Sequence, residues 1–202
     1  MIETKWVDLK RLPNAQLEIL HLSQAQDVRW AGLILMSAGA GWSSDPNLRN
    51  DIYVIKGSLI ENGASGPHLA ETFLSRVSPE LRAGPEGAML FVYRDHFADV
   101  DERITVGKND AAWRQGEVPG MRIASLVKPY RSLMFVSWMP GTRVRFHDHP
   151  RGEEIFVLRG ELQDQRGRYP AGTWQRLHAG TGHSPHVSMD TLILLRNGHL
   201  DG

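Results

Sequence analysis

Five of the nine histidines in this 202-residue chain fall in one 40-residue window, in the strings His147-Asp148-His149-Pro150-Arg151-Gly152-Glu153-Glu154 and His178-Ala179-Gly180-Thr181-Gly182-His183-Ser184-Pro185-His186. Side chains two apart on a strand share a face, so His147 and His149 point the same way and Asp148 the other. Glu153 follows His149 by four residues, across a Pro-Arg-Gly turn that can fold a carboxylate back beside the imidazoles. His183 comes 34 residues after His149, far enough for the chain to run out along one strand and back along another. Two or three neutral imidazoles with one carboxylate suit a borderline divalent ion, whereas calcium and magnesium prefer oxygen. The spacing therefore points to one transition metal per chain, with zinc the first expectation and iron, manganese, nickel or copper left open. Its ligands are expected to be His147, His149, Glu153 and His183.

A His-x-His pair alone arises readily by chance. What strengthens it is its setting: an apolar strand, Ile155-Phe156-Val157-Leu158, ending at Gly160, a Tyr169-Pro170-Ala171-Gly172 turn, and then the second Gly-rich, His-bearing turn. The neighbours have readings of their own. His178 is read as exposed, and His186, beyond Pro185, as lining the pocket mouth or serving proton transfer. Arg145, two before His147, is expected on the inward face, binding an anionic ligand or forming a structural salt bridge. Trp138, Trp174, Phe156 and Phe146 read as core or pocket wall. His21 and His68 are not expected to touch metal, His96 reads as a solvated surface residue, and His199 lies near a terminus read as disordered. No residue is assigned a catalytic role.

The string from Gly141 to Gly160, Gly-x5-His-x-His-x3-Glu-x6-Gly, resembles the first motif of the cupin superfamily. Gly172-x5-His178-x-Gly180-x2-His183 is similar to the second, with His178 where proline is usual. More closely, Gly152-Glu153-Glu154-Ile155-Phe156-Val157-Leu158, Tyr169-Pro170-Ala171-Gly172-Thr173 and Gly182-His183-Ser184-Pro185 resemble the cupin domain of ChrR-type anti-sigma factors, over about residues 113–198. The resemblance implies a jelly-roll barrel with His147, His149, Glu153 and His183 as ligands, holding zinc in regulatory members and iron in related dioxygenases. Proteins of the ChrR type carry sigma-factor binding on a separate N-terminal module with His and Cys zinc ligands. This chain has no cysteine, so that module in its known form is expected to be missing.

The elements that must position these residues read as strands. Apolar, β-branched and aromatic enrichment marks residues 30–36, 51–60, 72–77, 88–93, 133–139, 154–163, 173–177 and 191–195, with Gly, Pro, Asn and Asp between them. A helix is expected only over residues 14–24. The pattern is all-β, and it repeats at a period near 102 residues. Ile52 aligns with Ile155, Gly57 with Gly160, Ala70-x-Thr72-Phe73 with Ala171-x-Thr173-Trp174, and Trp6 and Pro13 echo Trp113 and Pro119. Two tandem jelly-roll cupin domains are therefore expected, over residues 1–100 and 110–202, joined by a charge-rich connector at 95–109. Mapped back, His147 and His149 fall on Ser44 and Pro46, or on Asp45 and Asn47; Glu153 falls on Asn50, and His183 on Leu81 or Arg82. No imidazole survives there, so the first domain is expected to be metal-free.

Composition narrows the function classes. With 23 basic and 23 acidic side chains the chain has no electrostatic footprint for nucleic acid or an anionic membrane. No disulfide framework is available, no secretory leader is read at Met1-Ile2-Glu3-Thr4-Lys5-Trp6, and no apolar run would span a bilayer; a cytoplasmic protein is expected. Two functions follow from a metal with an open coordination position. One is a regulatory or sensor protein that binds a small molecule, with a regulatory protein partner or a homodimer as further expectations. The other is a metal-dependent dioxygenase or related enzyme acting on a small oxygen-rich substrate such as a diketone. A metal that merely staples the barrel is the third reading.

Overall fold

Runs such as Ala31-Gly32-Leu33-Ile34-Leu35-Met36 are buried along their whole length, which only a strand packed on both faces allows. All eight expected strands form, as Ala31–Met36, Arg49–Glu61, Thr72–Ser75, Glu80–Asp95, Ser132–Trp138, Glu153–Arg159 with Glu161–Gln163, Thr173–Leu177 and Thr191–Asn197. The structure is a computed structural model that describes residues 1–27, 29–95, 103–127 and 132–200. Among them every element is a strand, and no helix is long and apolar enough to cross a membrane. The helix expected over 14–24 is instead the strand Leu17–His21, paired antiparallel with Ala31–Met36. A ready sheet edge outweighs the weak helix propensity of so short a segment.

The chain divides into two units, Lys10–Asp110 and Met1–Leu9 together with Ala111–Gly202. In the first, the sheet order is Leu17–His21, Ala31–Met36, Glu80–Asp95, Arg49–Glu61, Thr72–Ser75 and Ile104–Gly107, around a core that includes Ile34, Trp42, Ile52, Val54, Leu74 and Leu90. In the second, a seven-stranded sheet runs from Ile2–Trp6 through Thr173–Leu177, Glu153–Arg159, Thr191–Asn197, Ser132–Trp138 and Met121–Val127 to Arg114–Gln115. Two short pairs complete it, His147–His149 with Thr181–His183 and Glu161–Gln163 with Arg168–Pro170. Its core includes Trp138, Ile155, Val157, Leu162, Leu177 and Ile193.

The aligned glycines of the repeat have one physical cause. Gly57 and Gly160 adopt φ of +69° and +76°, and a Cβ there would lie 2.0 Å from the Gly87 carbonyl oxygen or 2.3 Å from that of Asp190. Both follow a register shift in their ladders, between Val54 and Lys56 and between Val157 and Arg159. A bulge with a left-handed residue bends the strand where the sheet must turn.

The domain boundaries read from the sequence need correction at both ends of the first unit. Ile2–Trp6 does not join residues 10–100; it pairs with Thr173–Leu177, setting Trp6 opposite Thr173. Ile104–Gly107 is a strand rather than connector, and it pairs with Thr72–Ser75 of the first unit, setting Gly107 opposite Thr72. The two pairings are the same one displaced by 101 residues, since 107 − 6 and 173 − 72 both equal 101. Flanking hydrogen bonds repeat the displacement, Val7 N to Gly172 O at 3.0 Å and Lys108 N to Glu71 O at 2.9 Å. The two repeats have exchanged their first strands. Residues 96–102 of the expected connector, His96 among them, lie outside the described residues.

Candidate metal centre

The strand pair His147–His149 and Thr181–His183 sets His147 directly opposite His183, so two imidazoles meet across one ladder and His149 adds a third two residues along. The ring centroids lie 4.8 Å (His147 to His149), 5.0 Å (His147 to His183) and 5.1 Å (His149 to His183) apart. One nitrogen from each lies within 4.8 Å of the others. His147 is half-buried and the other two are buried. Gly152, at φ +72° and tight against the Leu200 side chain, turns the chain between His149 and Glu153. Glu153 then opens the next strand, with Oε1 3.4 Å from both His149 Nε2 and His183 Nε2. The sequence-expected ligands His147, His149, Glu153 and His183 are brought together.

Electrostatics match a site built for a cation. Burial pushes the Glu153 carboxyl up to about 8. His149 is pulled down to about 4, first by burial and then by His147; His183 falls to about 3 through burial and the neighbouring His149 and His147. Glu153 Oε1 and His149 Nε2 are buried with no hydrogen-bond partner. A carboxylate and imidazoles in such surroundings suit a divalent ion, which replaces lost solvation and holds the charged carboxylate and neutral rings together. The donor set fits a transition metal.

Supporting contacts orient the rings. His147 Nδ1 lies 2.9 Å from the Arg145 carbonyl oxygen, which leaves Nε2 for the site. His183 Nδ1 faces Asp164 Oδ2 at 3.9 Å. Asp164 is itself held, with Oδ1 accepting from Tyr169 Oη at 2.9 Å and from the Arg166 and Gly167 amides at 2.7 and 3.1 Å. Arg166 also donates to the Gly182 carbonyl at 2.7 Å, beside His183. No motif flags Asp164, because its role depends on a chain fold-back rather than on spacing.

A cavity of about 300 Å³ adjoins the four residues, with Trp138, Val136, Ile123 and Leu195 on its apolar wall and Arg114 and Glu117 among its polar lining. Two expected pocket residues are not part of this lining. Arg145 is exposed, because residues 144–146 are not strand and the two-residue alternation does not extend back from His147. His186 is half-buried and serves through its backbone, bridging Arg143 and Gln163. Phe146 is also exposed, whereas Trp138, Trp174 and Phe156 are buried as expected. His178 pairs with Glu3 at 2.7 Å, tying down the exchanged strand. His21 accepts from Trp30 Nε1 at 2.8 Å and His68 faces Glu61 at 3.2 Å, so neither joins the cluster.

His199 is not part of a disordered end. It is buried 2.6 Å from Glu154 Oε2, while Arg176 Nε donates to Glu154 Oε1 at 2.9 Å. Burial would raise the Glu154 carboxyl, but His199, Arg176 and Arg196 outweigh it and hold the group at about 2.

In the first unit, the bridges Gly41 to Arg82 and Ile60 to Arg82 correspond to Arg143 to His186 and Gln163 to His186. The strand ladders set Asn50 where Glu153 stands, and since 50 − 41 is one less than 153 − 143, His147 and His149 answer to Ser44 and Pro46 or to Asp45 and Asn47. The bridges correct the fourth position: Pro79, three before Arg82, stands where His183 stands, not Leu81 or Arg82.

Residues 101–201 match the family model of the ChrR cupin-like domain. No protein of curated function matches the chain. Among solved structures, a candidate dioxygenase from Nostoc punctiforme is 12% identical with a TM-score of 0.75, over 98% of this chain and 79% of that one. Bacterial pirin YhhW from Escherichia coli, solved with nickel(II), is 14% identical with a TM-score of 0.68, over 98% of each chain. A conserved cupin barrel domain protein from Leptotrichia buccalis is 13% identical with a TM-score of 0.66, over 93% and 91%. At these identities the likeness is one of fold, and it identifies the two all-β units as tandem cupin domains.

Proposed function

Since the chain belongs to the ChrR cupin-like domain family, we propose that it binds one divalent transition metal through His147, His149, Glu153 and His183 and receives a small molecule in the adjoining cavity, as a regulatory or sensor protein. The observation that carries this reading is Glu153, a buried carboxyl set 3.4 Å from two imidazole nitrogens with no hydrogen-bond partner, beside a cavity large enough for a ligand. When bound, the metal supplies a Lewis-acidic position at which a ligand oxygen can be held. The chain's own residues do the rest. His147 keeps its Nε2 available through the Arg145 carbonyl, Asp164 faces His183, and the Trp138 side of the cavity excludes water from a bound ligand. Zinc is the proposed ion, with iron, manganese or nickel compatible with the same donors.

Elemental analysis of the purified protein, with His149→Ala alongside, tests the ligand set. One metal per chain is expected, falling to a small fraction in the variant; unchanged metal content in His149→Ala would sink the assignment. The apolar wall beside the site also favours the second reading, a dioxygenase on a small oxygen-rich substrate, because such chemistry needs a dry, shaped cavity. Substrate-dependent oxygen uptake by the ferrous protein with a diketone supports the enzyme; no uptake in protein of full metal content leaves the sensor. A regulatory partner is proposed on the family relationship, and co-purification from native lysate tests it.

A further inference from the structure

Strand register gives the cavity beside the metal centre an ordered polarity. Glu153 pairs with Asn197 across one ladder, and both line the cavity. Two residues along the same strands, Ile155 pairs with Leu195 and Leu195 with Met134; the next row of lining side chains is Ile193, Val136 and Ile123. These six share a face with Glu153 and Asn197, because alternate residues of a strand point the same way. The wall is polar in the row at the metal centre and hydrocarbon in the next two. We propose that this cavity binds a medium-chain aliphatic monocarboxylate, with its carboxylate at the metal beside Asn197 and its chain along the two apolar rows. The proposal rests on the metal and small-molecule reading above and names the ligand class.

Charge selects the head group. A divalent ion held by three neutral imidazoles and one carboxylate keeps one positive charge uncompensated, which a monoanion neutralises. Asn197 is half-buried, and its side-chain amide has no hydrogen-bond partner among the described residues, so it can donate to a ligand oxygen. The other charged lining groups, Arg114, Glu117 and Asp148, are exposed, and two of the three are acidic. A second carboxylate on the ligand would gain no net attraction from them, so one head group is expected.

The apolar rows select the chain. Ile155 and Ile193 are each 1% exposed and Val136 is 3% exposed. A polar group laid against them loses its solvation without a partner. Each methylene buried there strengthens binding by roughly four-fold. Taking roughly 30 Å³ for a water-sized group, the cavity of about 300 Å³ accepts about ten of them, which is the heavy-atom count of octanoate.

Calorimetry on the full chain reconstituted with one zinc ion, with octanoate, butanoate, octanamide and suberate as probes, tests the proposal. Octanoate is expected to saturate one site, and each other probe to bind more weakly by roughly ten-fold or more. Butanoate lacks methylenes, octanamide lacks the charge, and suberate carries a second carboxylate. Asn197→Leu should weaken octanoate by about ten-fold, and Leu195→Asn should narrow the gap between octanoate and butanoate. Removing the zinc should abolish octanoate binding. If a variant does not fold, the four probes on the wild type, with and without zinc, decide. The proposal alone is overturned if zinc-loaded protein shows no saturable octanoate binding, if any other probe binds as tightly, or if the zinc-free chain binds octanoate equally well. Unchanged octanoate affinity in folded Asn197→Leu also overturns it. A chain that takes up no zinc overturns the metal reading, and the proposal with it.

Discussion

At the scale of single residues, Glu153 and its imidazole partners pull the metal-free protein in opposite directions as pH changes. Glu153, raised from 4.5 to about 8, retains a proton in the folded state that the unfolded chain has released, so its contribution to stability is lost as pH rises from 4.5 towards 8. His149 and His183, lowered from 6.5 to about 4 and 3, bind fewer protons when folded, and their contribution is lost as pH falls from 6.5. Two histidines outweigh one carboxyl below 6.5, and the carboxyl acts alone above it. The thermal midpoint of metal-free protein should therefore carry a maximum near pH 6.5 from these groups, and Glu153→Gln should remove the decline between 6.5 and 8. Metal binding must displace the Glu153 proton, so apparent affinity should rise with pH up to about 8 in the wild type and flatten in Glu153→Gln. That these three side chains and His147 would converge was legible in the sequence, because their types and spacing carry the chemistry. Arg145 and His186 misled for one reason: counting outward from a motif assumes regular strand, and the chain beside His147 and His183 is not regular.

At the scale of elements, the repeated glycine marks where each long strand bends. Gly160→Ala places a methyl against the Asp190 carbonyl in a left-handed backbone, costing about 1–3 kcal/mol for the conformation alone and more for the overlap. Denaturant unfolding should show that loss; an unaltered midpoint would mean that the bulge is not required. Arg176 and Glu154 lie on the adjacent strands Thr173–Leu177 and Glu153–Arg159, and both are buried. Arg176→Ala leaves that carboxylate short of a partner and should destabilise the second unit by about 3–5 kcal/mol, read in the same experiment. Strand positions were legible because alternating apolar runs between turn residues have few other readings. The burial of His199 could not be read because it depends on Glu154, 45 residues back in the chain, and the strand at Leu17–His21 could not because so short a segment takes its form only from pairing with Ala31–Met36.

At the scale of the whole molecule, the exchange of first strands leaves the first unit's sheet within the continuous stretch Lys10–Asp110, but the second unit's sheet takes its edge strand, Ile2–Trp6, from more than 100 residues before the rest. A fragment of residues 110–202 should melt well below the intact second unit, and a separate peptide of residues 1–9 should raise its midpoint with increasing concentration. A fragment as stable alone as with the peptide would show the edge strand to be dispensable. The duplication was legible in aligned glycines and strands, but not the exchange, because a strand's composition does not say which of two equivalent edges it joins. The exchange also bears on ancestry. Two copies of a single-repeat forebear that traded strands as a pair, once fused head to tail, would leave this connectivity. In such a lineage the copy with Asn50 and Pro79 could lose its imidazoles without being discarded, since deleting it would take away the strand that completes its neighbour's sheet.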